Sequence, residues 1–170
     1  QCIGRTYFVN MPGEVQGIEA EIEAHPLNGL SFNASVGYAD FTSPDLKAPT
    51  RVNKRLTGIP EWTASAGVQY EWLTPGLRGS ITPRLDAFYQ GSIVYSATSK
   101  TYNQNPYTVV NGRVTYLNDE GDVSVALGVT NLFNEFYYRN FFIFQELGFP
   151  NVNAQPSPPR EWFLTIRKNF

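Results

Sequence analysis

At 170 residues, 42% of them apolar, the chain is long enough to bury one core. A net charge of −2 without any Lys/Arg run excludes an electrostatic grip on nucleic acid, and one cysteine (Cys2) with one histidine (His25) excludes an internal disulfide and a Cys/His zinc site. Aromatic residues at 15%, 14 Gly and many Ser, Thr and Asn make a β-rich composition, while no apolar run reaches the roughly 18 residues of a membrane helix and no basic-then-apolar leader opens the chain.

In chain order the pattern predicts about seven strands. The first covers residues 8–25, where Ile18, Ala20, Ile22 and Ala24 alternate with Glu19, Glu21, Glu23 and His25. Pro26-Leu27-Asn28-Gly29 reverses the chain into a second strand, 30–41, which sets Leu30, Phe32, Ala34, Val36 and Tyr38 against Ser31, Asn33, Ser35, Gly37 and Ala39. An irregular stretch from Thr42 to Leu56 precedes the third strand, 57–72, in which Trp62, Ala64, Ala66, Val68, Tyr70 and Trp72 oppose Thr63, Ser65, Gly67, Gln69 and Glu71. The turn Thr74-Pro75-Gly76 leads to a strand over 78–95, and a second irregular stretch from Ser96 to Pro106 leads to one over 107–118. Asn118 to Asp122 then turns the chain into 123–133, where Val123, Val125, Leu127 and Val129 alternate with Ser124, Ala126, Gly128 and Thr130. After a third irregular stretch from Asn134 to Pro158, the last strand occupies 160–170.

Short turns therefore alternate with long loops. Alternation alone fits a soluble β-sandwich or a membrane barrel with its apolar face toward lipid. Two features favour the barrel. Tyr38, Tyr70, Trp72, Tyr95, Tyr116 and Trp162 fall near strand ends on the apolar parity, where interfacial girdles place amphipathic rings. The alternation of short turns with long loops also matches outer-membrane barrels, whose periplasmic turns are short and extracellular loops long.

The closing stretch holds Val129-Thr130-Asn131-Leu132-Phe133-Asn134-Glu135-Phe136-Tyr137-Tyr138, then Pro158-Pro159-Arg160-Glu161-Trp162 and a terminal Phe170. It resembles the NLF(D/N)xxYY and P-R-x-W/F segments that end TonB-dependent receptors. Upstream, Val9-Asn10, Gly17-Ile18-Glu19-Ala20-Glu21-Ile22, Pro26-Leu27-Asn28-Gly29-Leu30 and Gly58-Ile59-Pro60-Glu61-Trp62 are similar to further segments of that family, in the family's order. The resemblance implies an all-β fold: the distal part of an antiparallel, 22-stranded transmembrane barrel in the bacterial outer membrane. Residues 1–170 would be the C-terminal part of the barrel domain, with the plug domain and TonB box lying outside this chain.

Family resemblance also gives the last strand a role. Trp162, Leu164, Ile166 and Phe170 fit the apolar series ending in an aromatic that is associated with the barrel assembly machinery. Lys168 interrupts the series, which a lysine snorkelling near the interface tolerates. For the parent receptor the resemblance implies import of bulky, scarce solutes such as ferric siderophores, with ligand bound outside and the plug altered through TonB. Partners would be outer-membrane lipid, the remaining strands and plug, TonB, the assembly machinery and an extracellular ligand such as a metal chelate.

No residue set reads as an active site, and no cofactor is implied. Glu19, Glu21 and Glu23 form a row at strand spacing, explained by hydration or by pairing with Arg84, Arg113 and Arg167; His25 reads as a turn residue on the periplasmic side. For ligand capture the candidates are Tyr102, Asn103 and Gln104 in one loop and Phe141, Phe142, Phe144 and Phe149 in the last. The rival reading is a passive porin-like or adhesion barrel without energy coupling.

Overall fold

Period-two alternation becomes one antiparallel sheet. The computed structural model describes residues 12–144 and 148–170. The strands are β1 (Glu14–Leu27), β2 (Leu30–Thr42), β3 (Trp62–Tyr70), β4 (Trp72–Thr74), β5 (Gly79–Gln90), β6 (Tyr107–Asn118), β7 (Val123–Thr130), β8 (Tyr138–Ile143), β9 (Val152–Pro156) and β10 (Glu161–Lys168). The main sheet runs β1-β2-β3-β5-β6-β7-β10, with β4 also paired to β5, and β8 and β9 form a separate hairpin.

The pairs Gln69 with Arg84 and Trp72 with Ile81 keep one register, so β3 and β4 are a single strand interrupted at Glu71. The Glu71 N–H reaches the Gly29 carbonyl at 2.8 Å, one step beyond the Leu30–Tyr70 pair of β2 and β3. With that merger the sheet holds the seven strands expected.

Strand ends differ from expectation for local reasons. The third strand starts at Trp62 instead of residue 57, because Gly58 sits at φ +81° and Pro60 has no N–H for a ladder. Residues 91–95 leave the sheet after the Gly91 N–H reaches the Trp62 carbonyl at 2.8 Å, and Ile93 then bridges Gln104. Asn131 and Asn134, at φ 49° and 55°, stop the sixth expected strand at Thr130 instead of residue 133. The stretch 134–158, expected to be irregular, carries β8 and β9. Residues 8–11 of the first expected strand, with Val9 and Asn10, lie outside the described residues.

Register sorts side chains into two faces. One continuous row reads Ala24, Phe32, Val68, Leu85, Gly112, Val129 and Trp162. On the other face Ser31, Gln69, Arg84, Arg113, Gly128 and Phe163 lie side by side. The apolar face is exposed: Ile18 is 68% accessible, Leu127 53% and Ile166 69%. A soluble sheet would bury these side chains, and a patch of this extent marks a surface meant for lipid or protein. Aromatic residues stand at both rims of that face. Tyr38 and Trp62 pack at 4.6 Å between ring centroids near one end, and the Tyr116 hydroxyl donates to the Leu77 carbonyl at 2.8 Å near the other. Tyr95, expected among them, instead belongs to a loop.

The short turns share one edge with the chain terminus, since the Asn169 N–H bonds the Asp122 carbonyl at 2.8 Å. The loops 43–61, 91–106 and 131–160 share the other edge. There lie Leu46, Ile93 and Val94, three of the few buried apolar side chains. The molecule's core thus sits above the sheet and not behind it.

Candidate loop site and polar wall

Asn53 ties the first long loop to the second. It is 6% exposed, and its Nδ2 donates to the carbonyls of Ser96 (2.6 Å) and Ser99 (2.8 Å) while its backbone N–H reaches the Ala97 carbonyl at 3.1 Å. Nearby, Arg55 donates to the Ser92 hydroxyl and carbonyl at 2.8 and 2.9 Å and pairs with Glu61 at 2.7 Å. Each of these groups is an irregular-backbone carbonyl or a charge that would otherwise be left unpaired in a partly buried loop. A cavity of about 400 Å³ lies beneath the first loop, lined by Phe41, Leu46, Leu56 and Ile59 together with Lys47 and Lys54.

The second loop is tied in turn to the β8–β9 hairpin. Gln104, 8% exposed, accepts the Tyr138 N–H on its Oε1 at 2.8 Å and donates from Nε2 to the Asn105 carbonyl. Tyr95 donates its hydroxyl to the Arg139 carbonyl at 3.1 Å, and burial raises its pKa above the ordinary tyrosine value. Around Phe141 gather Tyr138, Tyr95 and Tyr102, at ring centroid distances of 4.7, 5.2 and 6.0 Å. Tyr107 and Tyr137 stack at 3.9 Å below them.

The candidate ligand residues therefore divide. Tyr102 and Phe141 share the aromatic cluster. Asn103 bonds Asn53 within the loop core, and Gln104 joins loop to hairpin. Phe142, Phe144 and Phe149 stand exposed on the hairpin and its tip. The second loop, the hairpin and residues 57–60 border a polar cleft of about 500 Å³ that includes Gln90, Tyr95, Arg139 and Asn140. Sequence reading missed Asn53 and Arg55, whose partners lie on another loop with no periodic signal to announce them.

On the polar face Arg84 is the hub. Its Nε lies 2.9 and 3.0 Å from the Asp86 carboxylate oxygens, while its terminal nitrogens reach Gln69 at 3.0 Å and Asn33 at 3.2 Å. A Cβ at Gly67 would lie 2.6 to 2.7 Å from Asn33 Oδ1, Arg84 Nη2 and Asp86 Oδ1, so only glycine lets the three groups meet there. The pairing of the β1 glutamates with Arg84 offered above is not made. Arg84 takes Asp86 because that side chain is two residues away on its own strand, whereas β1 is three strands off. His25 lies at the end of β1 and contacts Glu23 at 3.5 Å and the Ser31 hydroxyl at 3.0 Å.

On β10, Trp162, Leu164 and Ile166 share the apolar face, and Phe170 lies beyond the strand. Lys168 places its Nζ 3.5 Å from Asp122 Oδ2 and 5.9 Å from the centre of the Phe170 ring. The Asp122 carboxyl is held below its ordinary value, first by the Asn118 amide and then by Lys168.

A family model described as TonB dependent receptor-like, beta-barrel matches residues 1–132. Among solved structures, the ferric yersiniabactin uptake receptor FyuA of Yersinia pestis superposes with a TM-score of 0.75 at 20% identity, over 93% of this chain and 24% of that one. The Pseudomonas aeruginosa receptor bound to ferripyoverdine gives 0.71 and 21% over 93% and 20%. BauA, the ferric preacinetobactin receptor of Acinetobacter baumannii, gives 0.69 and 16% over 91% and 22%. At these identities the likeness is one of fold. The chain spans less than a quarter of the length of each receptor.

Proposed function

The chain belongs to the TonB-dependent receptor β-barrel family, and on that premise we propose that it forms the distal wall and outer mouth of an energy-coupled importer of ferric siderophores. The observation that carries this reading is the two-faced sheet: an exposed apolar face rimmed by aromatics, a polar face opposite, and three long loops gathered over one end. The fold shared with receptors whose names specify ferric siderophores points to that ligand class. In this reading residues 1–170 are the C-terminal part of a 22-stranded barrel, with plug and TonB box elsewhere in the parent protein.

The polar face then lines the lumen, and the apolar face meets outer-membrane lipid. Ligand contact falls to the mouth, with Phe142 and Phe144 on the hairpin, Tyr102 and Phe141 in the aromatic cluster, and Asn103 and Gln104 holding the loop that presents them. Trp162, Leu164, Ile166 and Phe170 form the strand read by the assembly machinery. The two edges support a piece of a larger wall, because β1 and β10 each have one strand partner among the described residues and an unpaired edge in lipid costs several kcal/mol per exposed group.

Uptake of radiolabelled ferric siderophores by cells expressing the parent gene, with and without TonB, tests the proposal. Uptake that requires both supports it. Energy-independent passage of small solutes would favour the porin-like rival.

A further inference from the structure

Two residues of β10 break its alternation. Phe163 puts a large ring on the polar face, in the row of Arg113 and Gly128, and Lys168 puts a charge on the apolar one, in line with Trp162, Leu164 and Ile166. Each has its partner on β7 or on the turn that precedes it. A Cβ on Gly128 would come within 3 Å of three atoms of the Phe163 ring, so the ring lies over the glycine of β7. Lys168 Nζ stands 3.5 Å from Asp122 Oδ2, and Asp122 is itself held by the Asn118 amide and, through its carbonyl, by the Asn169 N–H.

These exceptions sit where register is otherwise loose. A slip of one residue would turn every side chain of β10 to the wrong face, but a slip of two keeps both faces intact. With β10 moved two residues toward the loops, Leu164 would meet Val129, Ile166 would meet Leu127 and Thr165 would meet Gly128, apolar on apolar and small on small. The connection does little to oppose this move. A tight hairpin turn fixes register by its length, whereas β7 and β10 are joined through residues 131–160, and the closure entropy of so long a connection hardly changes over two residues. What the slip disrupts is the two exceptions. Phe163 would face Thr130 in place of glycine, and Lys168 would be drawn beside Val125, away from Asp122 and into the apolar row.

We propose that Gly128–Phe163 and Asp122–Lys168 together form a register lock for the terminal strand, selecting the observed pairing over one displaced by two residues. Glycine is required opposite the ring because a Cβ there would hold the ring off the sheet, and aromatic cover of a strand glycine is a means of fixing register. The ion pair adds a second check at the strand's end, closing when Lys168 lies opposite Val123. The position of Phe170 follows, since a slip of two residues would withdraw the terminus by about 7 Å from the edge of the short turns. The lock acts as the sheet takes on its last strand, whatever the parent protein transports.

Cysteine pairs in the full-length parent protein, otherwise free of cysteine, report the register. Ala126→Cys with Thr165→Cys are directly opposite in the observed pairing, whereas Ala126→Cys with Arg167→Cys are diagonal, about 7 to 8 Å apart, and come opposite after the slip. The chain is refolded from urea into phospholipid vesicles under a glutathione redox buffer, and disulfides are scored on the folded band of an unheated gel. With β10 otherwise unaltered, the 126–165 bond should form and the 126–167 bond should be marginal. Replacing both exceptions, by Phe163→Ala with Lys168→Leu, should raise the 126–167 yield about fivefold at the expense of 126–165, each single change giving a smaller rise. Phe163→Tyr with Lys168→Arg keeps ring and charge and should behave as the unaltered strand. A double variant that folds yet still closes 126–165 alone would overturn the lock and assign the register to the bonds of Asn131 with Pro158 and Asn134 with Arg160. If the double variant leaves no folded band, the single variants decide, and no rise in 126–167 from either would overturn the lock equally.

Discussion

Arginine placed at Leu127 tests the direction in which the apolar face points. Leu127 is 53% exposed and lies four residues beyond Val123, where β7 leaves its turn. At about 3.4 Å per residue and a tilt near 45°, that puts it roughly 10 Å inside an apolar band about 25 Å tall. Its row neighbours Val114 and Leu164 offer no polar contact. A guanidinium there is close to mid-bilayer, so Leu127→Arg should destabilise the parent receptor by about 2 to 4 kcal/mol in phospholipid vesicles. Ala126→Arg, one residue back, projects between Thr115 and Thr165 on the polar face and should have a much smaller effect. Denaturant unfolding of both variants in vesicles gives the comparison. Equal losses at the two positions would refute the assignment of faces.

Gly67→Ala should cost about 1 kcal/mol by displacing the Arg84 network, most of its energy being screened at this exposure, while Gly76→Ala, with open space around it, should be neutral or slightly stabilising in the same assay. Asn53→Ala strips the Ser96 and Ser99 carbonyls of a donor and should speed hydrogen exchange at Val52, Asn53 and Gly58 while leaving the sheet's protection unchanged. Because its folded pKa is depressed, Asp122 contributes to the turn above the ordinary carboxylate range and loses that contribution as pH falls through its lowered value. Asn118→Ala should raise the Asp122 titration midpoint more than Lys168→Ala does, as read by carboxyl NMR. A cysteine replacing Glu120 should resist an impermeant thiol reagent in intact cells, and one replacing Ser99 should react if its loop faces outward; labelling at 120 would invert the topology.

The sheet was legible because its two faces carry opposite chemistry on adjacent residues. Ile18 and Glu19, or Leu127 and Gly128, show that contrast within a few letters, and the turns at Asn28-Gly29 and Asn118 to Asp122 mark where the chain reverses. The mouth was not legible in the same way. Asn53 and Ser96 meet across more than forty residues of irregular backbone, and neither residue type distinguishes a buried hub from a solvated loop. Aromatic content did single out Phe141 and Tyr102, though not their meeting across two loops, and Gln104 was read as a residue for ligand capture although its side chain receives the first N–H of β8. Lys168 looked like a flaw in the last strand because its partner, Asp122, belongs to a different turn.

The burial of Leu46, Ile93 and Val94 in the loops, with an exposed apolar sheet beneath, divides the molecule by solvent. Cohesion in the mouth draws on water's expulsion of apolar groups, a force that weakens on cooling. In the proposed bilayer setting the wall is held by strand pairing and lipid contact and does not share that dependence. Cold therefore slackens the mouth before it loosens the wall, and for the proposed importer ligand affinity should fall toward low temperature while the sheet keeps its pairing.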